Sequence, residues 1–382
     1  MLSASRRPSR SAASTLPPTT TSGIAGAVGV TGWALDSIEV TSVGIWREPV
    51  SGEAAAPNGL VFIGNANFVA DARPDVAASF PSSPFQYRGG WGYLMLTNFL
   101  RNSSGSGPLG NGTYKLHVII TNKSGTAVDL GTRTITVDNA HASKPFGTID
   151  TPDQGGSATG NAFVNFGWAL TQNPYAIPFD GSTIAVILDG VPVGHPVYNQ
   201  LRSDIANLFP GLANSNGAVG FFYIDTTKLQ NKVHTISWNA FDNAGRGDGL
   251  GSRYFTVFNA NGGGVAAPEE LPTHESHPGP VKLRSGYDLN APQMTLTLDA
   301  SGSYSIEMDQ LGRIELSLGA SSGYLVGAET EELPVGSSLK AGVFYWQAPL
   351  GFLGKYQLVF ERPDGTQISV HINIVPKHYS LQ

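Results

Sequence analysis

Cysteine is absent from the 382 residues, which excludes disulfides and thiolate metal sites and leaves the redox compartment open. Charge is scarce too. Asp, Glu, Lys and Arg make up 14% of the chain, against roughly 25% in an average globular protein. The net charge of −6, from 23 basic and 29 acidic residues, is spread out, and without a basic stripe there is nothing to neutralise a phosphate backbone. Nucleic acid is excluded as a partner. No apolar run approaches the roughly 18 residues of a membrane span. Paired carboxylates, a nucleophile elbow and a phosphate loop are missing as well, so the chain reads as a non-enzyme without cofactor or metal. The start, "MLSASRRPSRSAASTLPPTTTSG", turns polar and Pro-rich where a signal peptide needs an apolar core. Residues 1–22 are therefore expected to be a disordered lead-in, and the true start of a larger secreted protein is expected upstream.

What the chain does have is turn formers, with 47 glycines and 25 prolines, and a length that suits two or three domains. It also repeats itself. "TGWAL" at 31–35 returns as "FGWAL" at 166–170, a spacing of 135 from Gly32 to Gly167. "RPDVAASFP" (73–81) returns as "RSDIANLFP" (202–210) at a spacing of 129, and "LGTRTITVDNA" (130–140) as "LGSRYFTVFNA" (250–260) at 120. The falling offset places extra residues in two turn-rich loops of the first copy, one between Trp33 and Arg73 and one around "RNSSGSGP" (101–108). A unit of roughly 110 residues has been duplicated.

The shared framework alternates as strands do. Val164, Phe166, Trp168 and Leu170 occupy every second position, which predicts that Trp168 and its counterpart Trp33 point into the core. Ile184, Val186 and Leu188 lead to the hairpin pair Asp189-Gly190. Ile236, Trp238 and Ala240 share a face, matched in the first copy by Leu116, Val118 and Ile120. "RSDIANLFPG" predicts a short helix with Ser203 as its N-cap. Many short strands with one helical crossover read as a β-sandwich.

With "TIDTPDQGG", "ILDGVPVG", "YIDTTKLQNKVHTISWNAFDNAG" and "SRYFTV" in that order, residues 148–260 resemble the bacterial immunoglobulin-like domains that occur in tandem in secreted and surface proteins. The resemblance implies a binding or spacer module and brings no catalytic residues. Repeat 1, residues 23–140, departs from that pattern: "WREPVSGEAAAPNG" replaces the Asp-Gly hairpin and "DTTKL" has no counterpart. Residues 261–280, "NGGGVAAPEELPTHESHPGP", have the composition of a linker. Beyond them, 281–376 shows a further set of strands, and "GVFYWQAPLGFLGKYQLVF" (342–360) resembles the signature of bacterial Ig or cadherin-like domains.

The expected architecture is all-β, three tandem Ig-like β-sandwich domains, with Trp33, Trp168, Trp238 and Trp346 as core anchors. Trp91 is placed in a loop. Trp46, Trp91, Tyr93, Tyr175 and Tyr198 are the candidates for sugar stacking, though aromatics on a sandwich more often serve the core. Asp150, Asp153, Asp242 and Asp248 are weighed as Ca²⁺ ligands and set aside as turn caps. "RGD" at 246–248 and "HESH" at 274–277 are read as chance matches, and His117 and His234 as edge or surface positions. The functional expectation is a non-catalytic extracellular or cell-surface stalk, spacer or adhesion segment. Its partners would be an unknown protein or glycan ligand and neighbouring domains of a longer polypeptide. The alternative is a carbohydrate-binding accessory region of a larger secreted enzyme.

Overall fold

The structure is a computed structural model that describes residues 23–105, 109–260, 280–327 and 332–377, together with the backbone of 11–15. The expected linker up to residue 279, with its "HESH" motif, lies outside the described residues. Three tandem Ig-like β-sandwiches make up the described residues. In repeat 1 the elements are β1 (Ser11–Thr15), β2 (Ala27–Leu35), β3 (Val40–Arg47), β4 (Val61–Phe68), helix α1 (Pro74–Ser79), β5 (Gly90–Leu96), β6 (Asn111–Asn122) and β7 (Ala127–Asp138). Repeat 2 holds β8 (Phe146–Thr151), β9 (Gly156–Ala158), β10 (Phe163–Leu170), β11 (Ile184–Leu188), β12 (Val191–Gly194), β13 (Val197–Gln200), α2 (Ser203–Leu208), β14 (Val219–Ile224), β15 (Val233–Phe241) and β16 (Gly247–Val257).

Strand registers align the two repeats residue by residue. Gly32 faces Trp91 across β2 and β5, and Gly167 faces Gly220 across β10 and β14. Leu116 faces Arg133 just as Ile236 faces Arg253. The lead-in belongs to this scheme. β1 pairs antiparallel with β2, as β8 does with β10, so the expectation of disorder over 1–22 fails at Ser11–Thr15. Repeat 1 then crosses to its second sheet through a parallel bridge, Ile24 to Val137, where repeat 2 uses β9 beside β16.

One strand differs. β4 pairs with β3 through Val61–Ala66 and with β5 through Asn67 and Phe68, so it ties both sheets into one seven-stranded sheet. In repeat 2 the same path is cut into β12 and β13 at His195-Pro196, because Pro196 has no N–H to give a ladder. The result is two sheets, β13-β14-β10-β8 and β12-β11-β15-β16-β9.

The face assignment of β10 is a correction. Ala169 lies in the core between the sheets, and so does Trp238, whose indole N–H donates to Asn165 Oδ1 (2.7 Å). Trp168 points the other way. It packs with Phe146, Leu170, Ile205 and Phe209 beneath α2 and is fully buried there. Period two states that the faces differ; with both covered, it does not say which one faces the opposite sheet. Trp33 follows Trp168 in facing outward and stacks on Phe80, as Trp168 does on Phe209, each pair 5.3 Å apart. Trp33 stays only half-buried. Trp91, read as a loop residue, is instead a fully buried member of the repeat 1 core.

Helix α2 forms as expected, but its N-cap is Arg202 with no side-chain cap. Arg202 instead grips Asp204, and Arg73 grips Asp75 in repeat 1, so an ion pair marks both helix starts.

The third sandwich contains β17 (Lys282–Ser285), β18 (Met294–Thr295), β19 (Tyr304–Asp309), β20 (Arg313–Ser317), β21 (Ser322–Leu325), β22 (Ser337–Lys340), β23 (Val343–Gln347), β24 (Gly354–Glu361) and β25 (Gln367–Val375). Its sheets run β18-β17-β20-β23-β22 and β19-β25-β24-β21. Trp346 is fully buried between them against Phe352 and Tyr356, and its N–H donates to Val335 O (3.1 Å).

Candidate functional site at the junction of the three sandwiches

The loop between β23 and β24, "APLGFL" (348–353), is where the three sandwiches meet. Ala348, Leu350, Phe352 and Leu353 are all buried, and their core cluster also takes in Ala72 of repeat 1 and Tyr254 of repeat 2. Glycine on β5 makes the approach possible: a Cβ at Gly92 would stand 2.6 Å from Gly351 N. Two hydroxyls fasten the loop. Tyr254 donates to Leu350 O, and Tyr356 donates to Ala72 O (2.6 Å) and Leu353 O (2.9 Å). Burial pushes both phenols well above the usual 10, so they stay protonated donors.

A polar seam joins repeat 2 to the third sandwich. Arg313, fully buried, donates through Nε to Gly190 O (2.9 Å) at the Asp189-Gly190 hairpin and through Nη2 to Glu315 (2.5 Å). Gly190 has φ +78°, and a Cβ there would fall 2.9 Å from Trp346 N. Ser237 donates to Gln347 Oε1 (2.7 Å), and Lys377 pairs with Asp248 (2.8 Å). Buried polar groups matched in this way are costly to separate, so the seam holds the sandwiches in one register. A signal for this existed in the sequence. Glycine inside a strand often marks a close approach of another backbone, as Gly92 does in β5, and Gly190 does the same from a hairpin turn.

The junction also decides the other candidate motifs. Arg246 lies over the Tyr175 ring (3.6 Å) and pairs with Asp242 (2.5 Å), while Asp248 is held by Lys377, so "RGD" is not displayed. Asp150 pairs with Arg202, and Asp153 is exposed. Burial raises the Asp150 carboxyl more than Arg202 lowers it. Among the described residues no three His, Asp or Glu side chains stand together as a metal site. Tyr198 is buried with its hydroxyl on Ala169 O (2.6 Å), and Tyr93 donates to Ile63 O (3.2 Å). Trp46 keeps a half-exposed edge contact with Phe62 (4.8 Å).

Of the two histidines read as edge or surface positions, His234 is the one the structure corrects, because it is buried, whereas His117 stays partly exposed. His117 contacts Asp129 (2.7 Å). His234 is buried between Asp189 Oδ2 (2.5 Å) and Gln230 O (2.9 Å). Burial alone would lower its pKa, but the hydrogen bond and charge of Asp189 outweigh it and the shift is upward.

No family profile and no curated protein matches the chain. Among solved structures it is similar to fibronectin(III)-like modules of Clostridium thermocellum CbhA, at 13% identity and TM-score 0.22 over 69% of this chain and 100% of that one. A second is Bacteroides ovatus SGBP-B in complex with a mixed-linkage heptasaccharide, at 10% identity and TM-score 0.19 over 98% of this chain and 72% of that one. A third is dimeric latent PorU from Porphyromonas gingivalis, at 12% identity and TM-score 0.20 over 97% of this chain and 34% of that one. At these scores the similarities transfer neither ligand nor activity. No described helix is long and apolar enough to cross a membrane.

Proposed function

We propose that the chain is a non-catalytic, extracellular or cell-surface protein of the bacterial tandem Ig-like kind, acting as a rigid spacer or adhesion segment beside other domains of a longer polypeptide. Its units are repeat 1 (23–140, with β1 ahead of it), repeat 2 (148–260) and a third sandwich (281–376), with Trp33, Trp168, Trp238 and Trp346 as structural anchors. The observation that carries this reading is the buried junction. Tyr254, Tyr356 and Arg313 each donate across a sandwich boundary to a backbone carbonyl, which suits a stiff block better than beads on a string. Small-angle X-ray scattering tests it: the radius of gyration should lie within a few ångström of the roughly 21 Å of a compact chain of this length. A value typical of an extended, flexible string would refute the spacer. Protease shaving of intact producing cells tests the placement outside the cell.

A carbohydrate-binding reading has one observation in its favour. On the outer face of the third sandwich, Ser305, Glu307, Lys355, Gln357, His371 and Asn373 line an open groove of about 660 Å³. Calorimetric titration with soluble polysaccharides, repeated on Gln357→Ala/Asn373→Ala, separates the readings. Binding that this pair abolishes would favour the groove.

A further inference from the structure

The outer face of the β13-β14-β10-β8 sheet is apolar. Phe166, Phe221 and Val197 stand in one cross-strand row, and Val164 and Tyr223 in the next. Tyr223 is 58% exposed, and Leu201, just beyond β13, is 70% exposed. Phe221 and Tyr223 lie edge to face, 5.6 Å apart. Rings set at right angles make a poor flat platform for a sugar, and the aliphatic neighbours offer it nothing to bond.

The duplication says what such a face does in this fold. By register, Phe221 stands where repeat 1 has Gly92, Tyr223 where it has Leu94, and Val164 where it has Gly29. That face of repeat 1 is covered: Gln310 and Leu350 lie against Gly29, and Leu350 and Gly351 against Gly92. Repeat 2 presents Phe221 and Val164 instead of glycines. A loop backbone therefore cannot settle there, and a broad apolar surface can. The face also continues an interface already made, because Phe166 packs on the Trp168 cluster to which repeat 1 contributes Leu96 and Leu109. At its rim Arg202 stands with Asp150 and Asp204, so both signs are present and an identical rim is not repelled.

We propose that this face joins two copies of the chain, sheet against sheet about a two-fold axis, as an isologous contact. This goes beyond the spacer reading and does not depend on it. The face is small, so the dimer is weak, with dissociation in the micromolar range.

Sedimentation equilibrium of the full chain, at concentrations bracketing about 10 µM, should reveal a monomer–dimer equilibrium. Tyr223→Lys/Leu201→Lys alters only exposed side chains. It should weaken association at least tenfold with an unchanged circular dichroism spectrum. Met294→Lys, equally exposed on the third sandwich, should leave the dimer intact. A monomer at every concentration overturns the proposal, whether or not the chain binds a soluble polysaccharide. So does a dimer that survives the double substitution, or one that Met294→Lys removes as well.

Discussion

Each repeat fills its core with one indole, and the two indoles come from opposite sheets. Repeat 1 has Trp91 on β5 and Val118 on β6; repeat 2 has Gly220 and Trp238 at the matching positions. Gly167 and Gly220 leave the room that Trp238 occupies, since a Cβ on either would come within 3.4 Å of its ring. The duplicated cores have kept their filling and exchanged its source, as expected where total volume matters more than which strand supplies it. The exchange is not neutral in polarity. Trp238 donates to Asn165, whereas Val30 occupies the matching place in repeat 1 and the Trp91 N–H has no acceptor among the described residues.

The largest effect should come from breaking that exchange. Trp238→Ala and Trp91→Ala should each cost about 3–5 kcal/mol, with Trp238 at the upper end because Asn165 also loses its donor. Trp33→Ala should cost less, since that ring is half-buried already. In denaturant melts, Gly220→Trp alone should destabilise by overpacking, while Gly220→Trp combined with Trp238→Val should recover part of the loss. If the two substitutions merely add, the exchange is an accident of alignment.

The duplication was legible in the sequence because insertions fell in loops and left "GWAL", the helix start and the last strand in order. The sandwich class was legible from strand periodicity. What stayed hidden has a common cause: both faces of several strands are covered. Val164 to Leu170 alternates cleanly, yet helix α2 and repeat 1 bury the side of β10 that faces away from the other sheet, so alternation pointed Trp168 the wrong way. Trp91 follows Gly89 and Gly90 and precedes Gly92, a composition that reads as a turn until the third sandwich explains the glycine at 92. β1 was lost among Ser and Ala residues with no apolar rhythm. The spatial approach of Asp189 and the Arg313 contact depend on pairings across 45 and 123 residues, which no local pattern encodes.

A middle-sized effect should follow from making one repeat's outer face like the other's. Gly92→Phe puts the repeat 2 residue where Leu350 and Gly351 pack, and should cost about 1–3 kcal/mol through overpacking. Its readout is association. With a specific protease site engineered between 261 and 279, the wild-type chain, once cut, should still elute as one particle, because the buried hydroxyl contacts outlast the covalent tie. The cut Gly92→Phe chain should release its third sandwich. Release from the wild type would mean that the junction is too weak to hold the chain as a block.

The smallest expected effect is the pH dependence that one buried residue of repeat 2, His234, carries. His234 lies between a carboxylate and a carbonyl, both acceptors, so the site favours the ring form that carries hydrogen on both nitrogens. Its counterpart in repeat 1 is Tyr114, a phenol that donates to Arg101 O (2.9 Å) and that burial shifts upward, away from neutrality. The folded pKa of His234 lies above the usual 6.5, so the native state holds its proton more tightly than the unfolded chain does. Its contribution is therefore complete below the unfolded value and is lost as the pH rises through the folded one. The slope is bounded at about 1.4 kcal/mol per pH unit, the most that one proton can supply. Urea midpoints measured from acid to mildly alkaline pH should fall across that window in the wild type and flatten in His234→Gln. Tyr114→Phe should leave the pH profile as it was, and a profile that steepens or is unchanged in His234→Gln would show that the proton is held elsewhere.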